Sequence, residues 1–276
     1  MSWLYKKNQD AISPAHAQYL KDKQKRKWKI RLTQLSVLVG FLVLWELLAD
    51  FGVIDSFITS SPSRFIDTFL HLSQNGLLTH LSVTLYETLV GFVLGVVLGI
   101  ILATVLWWSL FLSKVFEPFL VVLNSLPKIA LGPVIIIWVG AGKGAIIFMA
   151  VAISLVVTVL ELLNGFHATN PQLIRMAQTF CASKRQIFFK IVFPSNLHTL
   201  FNSLKVNIGL SLVGVIAGEF LVSKAGLGYL IVYGGQVFQL DLVMASVIIL
   251  AILAALLYES VVLLEKLANR VISHTG

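Results

Sequence analysis

The sequence predicts an all-α integral membrane protein of about six transmembrane helices with an ordered cytoplasmic helix pair. Three observations carry that expectation. The chain of 276 residues is 57% hydrophobic and only 12% charged, with a mean hydropathy of +0.88, so it has too little polar surface to cover a soluble globule of its length. Its apolar residues fall into six runs, each near the ~20 residues needed to cross ~30 Å of hydrocarbon. Between the fourth and fifth runs lies a polar island, Asn170 to Pro194, in which every charge is positive: Arg175, Lys184, Arg185 and Lys190.

The N-terminal segment carries Lys6, Lys7, Lys21, Lys23, Lys25, Arg26, Lys27, Lys29 and Arg31, and with them much of the formal net charge of +8. Cations crowded before an apolar run set membrane topology and meet anionic lipid, a more economical reading than nucleic-acid binding. The first span, about Leu32 to Leu48, follows a long polar region and has no small-x-small cleavage site after it, so it is expected to be an uncleaved signal anchor. The second, Leu81 to Leu106, carries Gly91, Gly95 and Gly99, a small-residue stripe at four-residue spacing that lets another helix approach closely. The third, Phe111 to Val139, is interrupted by Pro118, Pro127 and Pro133. Each proline removes a backbone donor and clashes with the preceding turn, so this span is expected to be kinked or split. Broken helices at membrane depth are tolerated where they are buried in protein or line a wet cavity. Asn124, Ser125 and Lys128 are therefore candidates for a translocation pathway, beside a reading in which the prolines shape a bundle and Lys128 snorkels or is paired. The fourth, fifth and sixth spans run over about Ala145 to Leu163, Leu200 to Val222 and Leu242 to Leu264.

Lysine and arginine bias places the N-terminus, the Trp107 to Leu110 turn, the basic island and the C-terminus in the cytoplasm. The outside then holds Asp50, Asp55, Asp67 and Asp241 against Arg64, Lys143 and Lys224. The organisation expected is a basic cytoplasmic extension over 1–31, a transmembrane domain over 32–268 containing a cytoplasmic loop at 165–198, and a cytoplasmic tail over 269–276. Ionisable residues inside the spans are few: Glu46, Glu87, Lys128, Glu161, Lys205, Glu219 and Glu259. Glu46 and Glu161 lie near span ends. Lys205 and Glu219 share a helix face but stand ~21 Å apart along the axis, so each needs another partner. An intramembrane charge is costly and is a functional hypothesis by default, which adds both to the pathway candidates.

Signatures of catalysis are missing from the sequence. Gly140-Ala141-Gly142-Lys143-Gly144 is not a phosphate-binding loop, because Gly144 replaces the magnesium-holding hydroxyl and Ile137 occupies the first glycine position. Gly226-Leu227-Gly228 lacks the third glycine of a dinucleotide fingerprint. The histidines form no ligand cluster, and the single Cys181 excludes an internal disulfide framework. No cofactor, metal or nucleotide hydrolysis is expected of this chain.

In the island, Pro171 to Phe180 suits a short helix, proline at its start costing no internal hydrogen bond. Leu173, Met176, Ala177 and Phe180 follow the spacing of one apolar face. Such a helix seats in a partner's groove with Phe180 and Met176 as anchors, or lies in the lipid headgroups. Arg175-Met176-Ala177, then Cys181-Ala182-Ser183-Lys184-Arg185-Gln186, then Ile191-Val192-Phe193-Pro194 resemble the E-A-A, glycine, I-x-L-P pattern of the permease subunits of bacterial ATP-binding cassette importers. Asn170 to Ile174, Gly132-Pro133, Trp138-Val139-Gly140, Gly218-Glu219 and Gly226 to Leu230 resemble the same family, in the branch serving nitrate, taurine, aliphatic sulfonates, bicarbonate and some vitamin precursors. The resemblance covers roughly residues 30 to 270. Arg175 stands where an acid is usual, and Cys181 replaces the glycine. Cysteine lacks glycine's easy access to positive φ, which points to a different turn.

The resemblance implies a type I importer permease fold in which the island is a coupling-helix pair. Arg175, Met176, Ala177, Thr179, Phe180, Cys181, Ala182 and Ser183 would then form the contact with an ATPase. It also implies two ATPase subunits, a second permease copy in a homodimer, an extracellular substrate-binding protein or lipoprotein, and a bacterial inner or plasma membrane location. The expected substrate is a small anionic or zwitterionic organic solute or oxyanion, with a neutral heteroaromatic vitamin precursor as the alternative. The competing function is an ion-coupled secondary transporter that uses the intramembrane acids as proton or sodium sites.

Overall fold

The computed structural model describes residues 14–54, 60–64, 68–70 and 76–275. Lys6, Lys7, Asp55 and Asp67 therefore lie outside the described residues. The chain divides into two units, Met1–Ile66 and Asp67–Gly276.

The first unit is dominated by α1, Pro14–Asp50, in which the basic segment and the first apolar run form one helix of 37 residues. Pro14 at its N-terminus is its only proline and Gly40 its only glycine, so nothing interrupts the backbone ladder. It ends at Gly52, whose φ of +67° lets the chain reverse, with Val53 N–H donating back to the Leu48 carbonyl at 3.0 Å. Glu46, close to the end of the run, accepts from the Ser63 N–H at 3.1 Å.

In the second unit the principal helices are α2 (Leu77–Trp108), α3 (Leu110–Ser125), α4 (Gly132–Val139), α5 (Lys143–His167), α6 (Pro171–Thr179), α7 (Lys184–Ile187), α8 (Leu197–Val222), α9 (Leu227–Gln236) and α10 (Leu240–Thr275). Among the described residues, five helices are long and apolar enough to cross a membrane, or six if the bent pair formed by α3 and the 128–139 segment is one span. The core is a three-helix junction of α2, α5 and α8, and the glycine stripe builds it. A Cβ at Gly91 would fall 2.5 Å from the Ala150 Cβ, and one at Gly99 would fall 2.6 Å from the Thr158 Cβ. Gly95 faces Ser154 in the same way. From the opposite side, a Cβ at Gly214 would fall 2.7 Å from the Ala150 Cα. Backbones approach this closely only where side chains are missing. The stripe thus packs helices of one chain together, and the hydroxyls facing it donate to their own helix: Ser154 to the Ala150 carbonyl and Thr158 to the Ser154 carbonyl, both at 2.9 Å.

The third apolar run is split, as its prolines predict, with an 87° bend between Leu110–Ser125 and Lys128–Val139. The break falls at Leu126-Pro127, where Leu126 is extended (ψ 139°), the conformation a residue before proline prefers. Pro133 sits in the first turn of α4, where no donor is needed. Pro118 departs from the expectation: α3 runs through it unbroken. A single lost ladder bond does not end a helix whose other turns remain paired. Two further features were not foreseen. The short helix α9 lies between the fifth and sixth runs, and α10 continues as helix through Thr275.

Candidate functional site

The basic island folds as a helix–turn–helix mounted on the ends of α2 and α5. Asn170 caps α6 by accepting from the Gln172 N–H at 2.9 Å, and Pro171 opens it. At its C-terminus, the Cys181 N–H donates to the Gln178 carbonyl at 2.9 Å and the Ala182 N–H to the Ala177 carbonyl at 3.0 Å. This 5→2 and 6→1 pair is a Schellman stop, with Cys181 at φ +54°. The different turn expected from cysteine is therefore not found: the two hydrogen bonds hold a β-carbon residue in the left-handed region. Ser183 then caps α7, accepting from the Gln186 N–H at 3.3 Å, while the Ser183 N–H donates to Gln186 Oε1 at 2.8 Å, a reciprocal box. The following turn, Phe188–Val192, is a π-helix. Pro194 cannot donate to the Lys190 carbonyl, and its ring needs the room that a wider turn gives.

What makes this mount rigid is Phe188, 2% exposed, whose ring lies 4.9 Å from that of Trp107 and 5.4 Å from that of Phe166. Ala177, Ile187 and Val192 are buried in the same cluster, with Ile174 and Ala182 packed at its edge. The apolar face read from the sequence therefore divides. Ala177 turns inward, whereas Leu173, Met176 and Phe180 remain exposed, Phe180 at 79%. Arg175, Thr179, Cys181 and Ser183 are also exposed, and the Thr179 hydroxyl donates to the Met176 carbonyl at 2.6 Å. Lys184 is not a free solvated cation: its Nζ donates to the Trp108 carbonyl at 2.6 Å and lies 5.6 Å from the centroid of the Trp107 ring. A cation there also suits the C-terminal end of α2.

At the far end of α8, Glu219 is 1% exposed and is fastened to two other elements. Its carboxylate accepts from the Thr84 hydroxyl at 2.7 Å and the Gly228 N–H at 2.6 Å. Thr84 Oγ1 in turn accepts from the Leu227 N–H at 2.8 Å, and His80 Nδ1 accepts from the Gly226 N–H at 3.1 Å. Three successive N–H groups at the start of α9, which has no side-chain cap of its own, are thus met by side chains of α2 and α8. A carboxylate suits that position, where unpaired N–H groups and the helix dipole converge. The glycines around it are required by space: a Cβ at Gly228 would lie 2.8 Å from Glu219 Oε2, and Gly226, at φ +120°, is crowded by the same carboxylate. His80 also stacks on Tyr229, with ring centroids 5.9 Å apart. Glu87, one turn further along α2, is fully buried.

The other sequence candidates lie apart from this clasp. Asn124, Ser125 and Lys128 gather at the bend, where Lys128 Nζ donates to the Asn124 carbonyl at 3.2 Å and the Ser125 hydroxyl to the Val121 carbonyl at 3.0 Å. Lys205 finds the partner it needs in Glu265 of α10, at 2.6 Å, with His198 3.8 Å from the same carboxylate. An apolar groove of about 650 Å³ runs between the bend, α8 and α10, lined by residues such as Ile129, Pro133, Ile216, Phe220 and Leu250. None of the five pathway candidates lines it. Sequence reading missed His80, Thr84 and Glu265. The first two had left a trace, since His80, Thr84 and Glu87 recur at helical spacing on an otherwise apolar segment.

Fold and site define a multi-pass, all-helical membrane subunit that exposes a rigid helix–turn–helix at one end and fastens a short helix at the other. Residues 95–274 match the family model described as the binding-protein-dependent transport system inner membrane component. Among curated proteins, the riboflavin transport system permease protein RibX of Chloroflexus aurantiacus is 32% identical over 84% of this chain and 87% of its own. The Escherichia coli K12 permease SsuC, named for aliphatic sulfonate transport, is 29% identical over 88% of this chain and 92% of its own. The formylaminopyrimidine transport permease protein ThiX of Halalkalibacterium halodurans is 28% identical, covering 82% and 90%. A solved structure of the MetNI methionine ABC transporter in an inward-facing conformation has the same fold, with a TM-score of 0.62 at 20% identity, covering 69% of this chain and 94% of that one. The chain belongs to the binding-protein-dependent transport family and is the membrane permease subunit of an ABC importer, not an enzyme. That membership implies ATPase and substrate-binding partners and sets aside the ion-coupled reading.

Proposed function

We propose that two copies of this subunit flank a substrate pathway across a bacterial inner or plasma membrane, with the N-terminus and the Asn170–Pro194 loop cytoplasmic. An ATP-binding cassette ATPase subunit docks on each loop, and an extracellular binding protein or lipoprotein delivers solute to the opposite face. The observation that carries this reading is Phe180, 79% exposed, on a helix whose other side is locked into the Phe188 cluster. A large apolar side chain on a rigid mount, turned away from its own chain, is what a helix-in-groove contact requires. Two-fold symmetry along the membrane normal would give two such contacts. Coupling requires that ATP bind inward-open and outward-open states with different affinity, and the mount transmits that difference. Arg175, Met176, Thr179, Phe180, Cys181 and Ser183 supply the docking surface, with Ala177 and Ala182 holding it to the body. The Glu219 clasp closes the outer end of the pathway, and Asn124, Ser125 and Lys128 mark its bend. Lys205, tied to Glu265, sets the spacing of α8 and α10 at the docking end.

The substrate is a small anionic or zwitterionic organic solute or oxyanion, of the sulfonate, taurine or nitrate type, a reading supported by the likeness to SsuC. A second reading, a neutral heteroaromatic vitamin precursor, is favoured by the uncharged lining of the groove and the likeness to RibX and ThiX. The test is reconstitution of the chain with its ATPase and binding protein in liposomes. Uptake of labelled taurine, sulfonate, pyrimidine or flavin should require ATP and persist when ion gradients are collapsed. Uptake that follows an ion gradient without ATP would refute the function. Labelling of Cys181 by an impermeant maleimide in intact cells would refute the orientation.

A further inference from the structure

The exposed surface of the island has a chemistry that specifies its partner. Ile174 and Ala177 face the Phe188 cluster. Arg175 stands two residues from Ala177, ~200° around the helix, and is exposed, so its guanidinium points away from the chain's own body. Beside Phe180 lies a notch of about 200 Å³ whose walls include Ala182, Ile187, Gln186 and Lys190. Lys184 is occupied by the Trp108 carbonyl, which leaves Arg175, Arg185 and Lys190 as the outward cations. From His167 to His198 there is no aspartate or glutamate. A surface that is apolar at its centre and cationic at its rim fits an apolar groove edged with carboxylates, where opposite charges steer approach and fix register. Lipid headgroups fit less well. The side of α6 that rests on the body faces the helix ends, so its opposite side, with Arg175, looks away from the bilayer, whereas an interfacial helix turns its exposed apolar residues into it.

We propose that the groove receiving α6 belongs to an acidic ATPase subunit, which sets one carboxylate against Arg175 and another at the notch beside Lys190. This rests on the docking reading above, and it makes the permease selective for an ATPase of matching charge. A basic groove would leave the cations facing like charge, and a neutral one would leave them without a counter-charge.

The experiment uses the full chain co-expressed with its ATPase and purified in detergent, with ATPase retention measured at low and high salt. Arg175→Glu and Lys190→Glu should each weaken retention roughly tenfold at low salt and lose most of that difference at high salt, while Arg175→Gln loses less. Acid→Arg changes at the ATPase groove should restore binding to Arg175→Glu. Phe180→Asp separates the two readings. If Phe180→Asp loses the ATPase while Arg175→Glu and Lys190→Glu retain it, docking stands and the acidic groove is refuted. If all three retain it with hydrolysis still stimulated by loaded binding protein, the docking reading itself fails. Repeating the assay in nanodiscs of phosphatidylcholine alone and with phosphatidylglycerol tests the remaining occupant: an Arg175→Glu defect present only with the anionic lipid would assign the patch to headgroups and overturn the proposal.

Discussion

Replacing Glu219 with leucine should release the start of α9. The carboxylate accepts from the Gly228 N–H at 2.6 Å and the Thr84 hydroxyl at 2.7 Å, and leucine accepts from neither. Thr84 can turn its hydroxyl to a carbonyl of its own helix, so the lasting loss is the Gly228 N–H. It is left buried without an acceptor, at a cost of about 1–3 kcal/mol. A loss near 2.7 kcal/mol, at the upper end of that range, lowers the free energy of local opening enough to raise amide exchange about a hundredfold. The assay is hydrogen exchange followed by mass spectrometry on purified permease. Peptides spanning 226–236 should exchange about a hundredfold faster in Glu219→Leu, and those around Ala150 in α5 should be unchanged. Glu219→Gln keeps one acceptor oxygen, so it should show a smaller increase and impaired uptake with the ATPase still bound. Unchanged exchange at 226–236 in Glu219→Leu would refute the clasp.

Other positions test the same construction elsewhere. Gly214→Ala places a methyl 2.7 Å from the Ala150 Cα, where backbone rather than a side chain must yield, so it should destabilise by at least the roughly 1–3 kcal/mol typical of overpacking. A thermal melt reads this directly, and an unchanged midpoint would contradict the packing. Cys181→Gly removes the β-carbon from a residue at φ +54° and should stabilise the turn by about 1 kcal/mol with coupling intact, seen as slower exchange at 178–182. Breaking the Lys205–Glu265 pair from either side leaves a mostly buried charge. Glu265→Ala should cost about 3 kcal/mol, and adding Lys205→Ala should recover part of it, the signature of direct coupling in a double-mutant cycle.

Local chemistry was legible where it acts alone. The apolar runs, the break at Pro127 and the start of α6 at Pro171 each depend on a few neighbouring residues. The rest depends on where distant residues arrive. Thr84 and Glu219 are 135 residues apart, and Lys184 and Trp108 are 76 apart, so no spacing along the chain announces either contact. The glycine stripe showed that some helix approaches α2 but not that Ala150, Ser154 and Thr158 would face it. On α6, period alone gave one apolar face, because Ala177 and Phe180 are three residues apart; only the Phe188 cluster decides which of them is covered. Cys181 misled for a related reason: conformational preference disfavours its φ, and two backbone hydrogen bonds outweigh that preference. The clasp left a partial trace in His80, Thr84 and Glu87, but their acceptor role emerges only once α9 brings its free N–H groups to them.

In the proposed importer, α6 transmits ATP binding through Phe180. Burial of that side chain in a groove is worth roughly 2–3 kcal/mol, and Phe180→Asp also puts an unpaired charge there. A loss near 2.7 kcal/mol weakens docking about a hundredfold. The decisive measurement is ATP hydrolysis by the reconstituted importer with and without substrate-loaded binding protein, together with ATPase retention on purification. In Phe180→Asp, the permease should insert normally but lose its ATPase, or keep it with hydrolysis no longer stimulated. Full retention with full stimulation in that variant would show that α6 does not carry the signal.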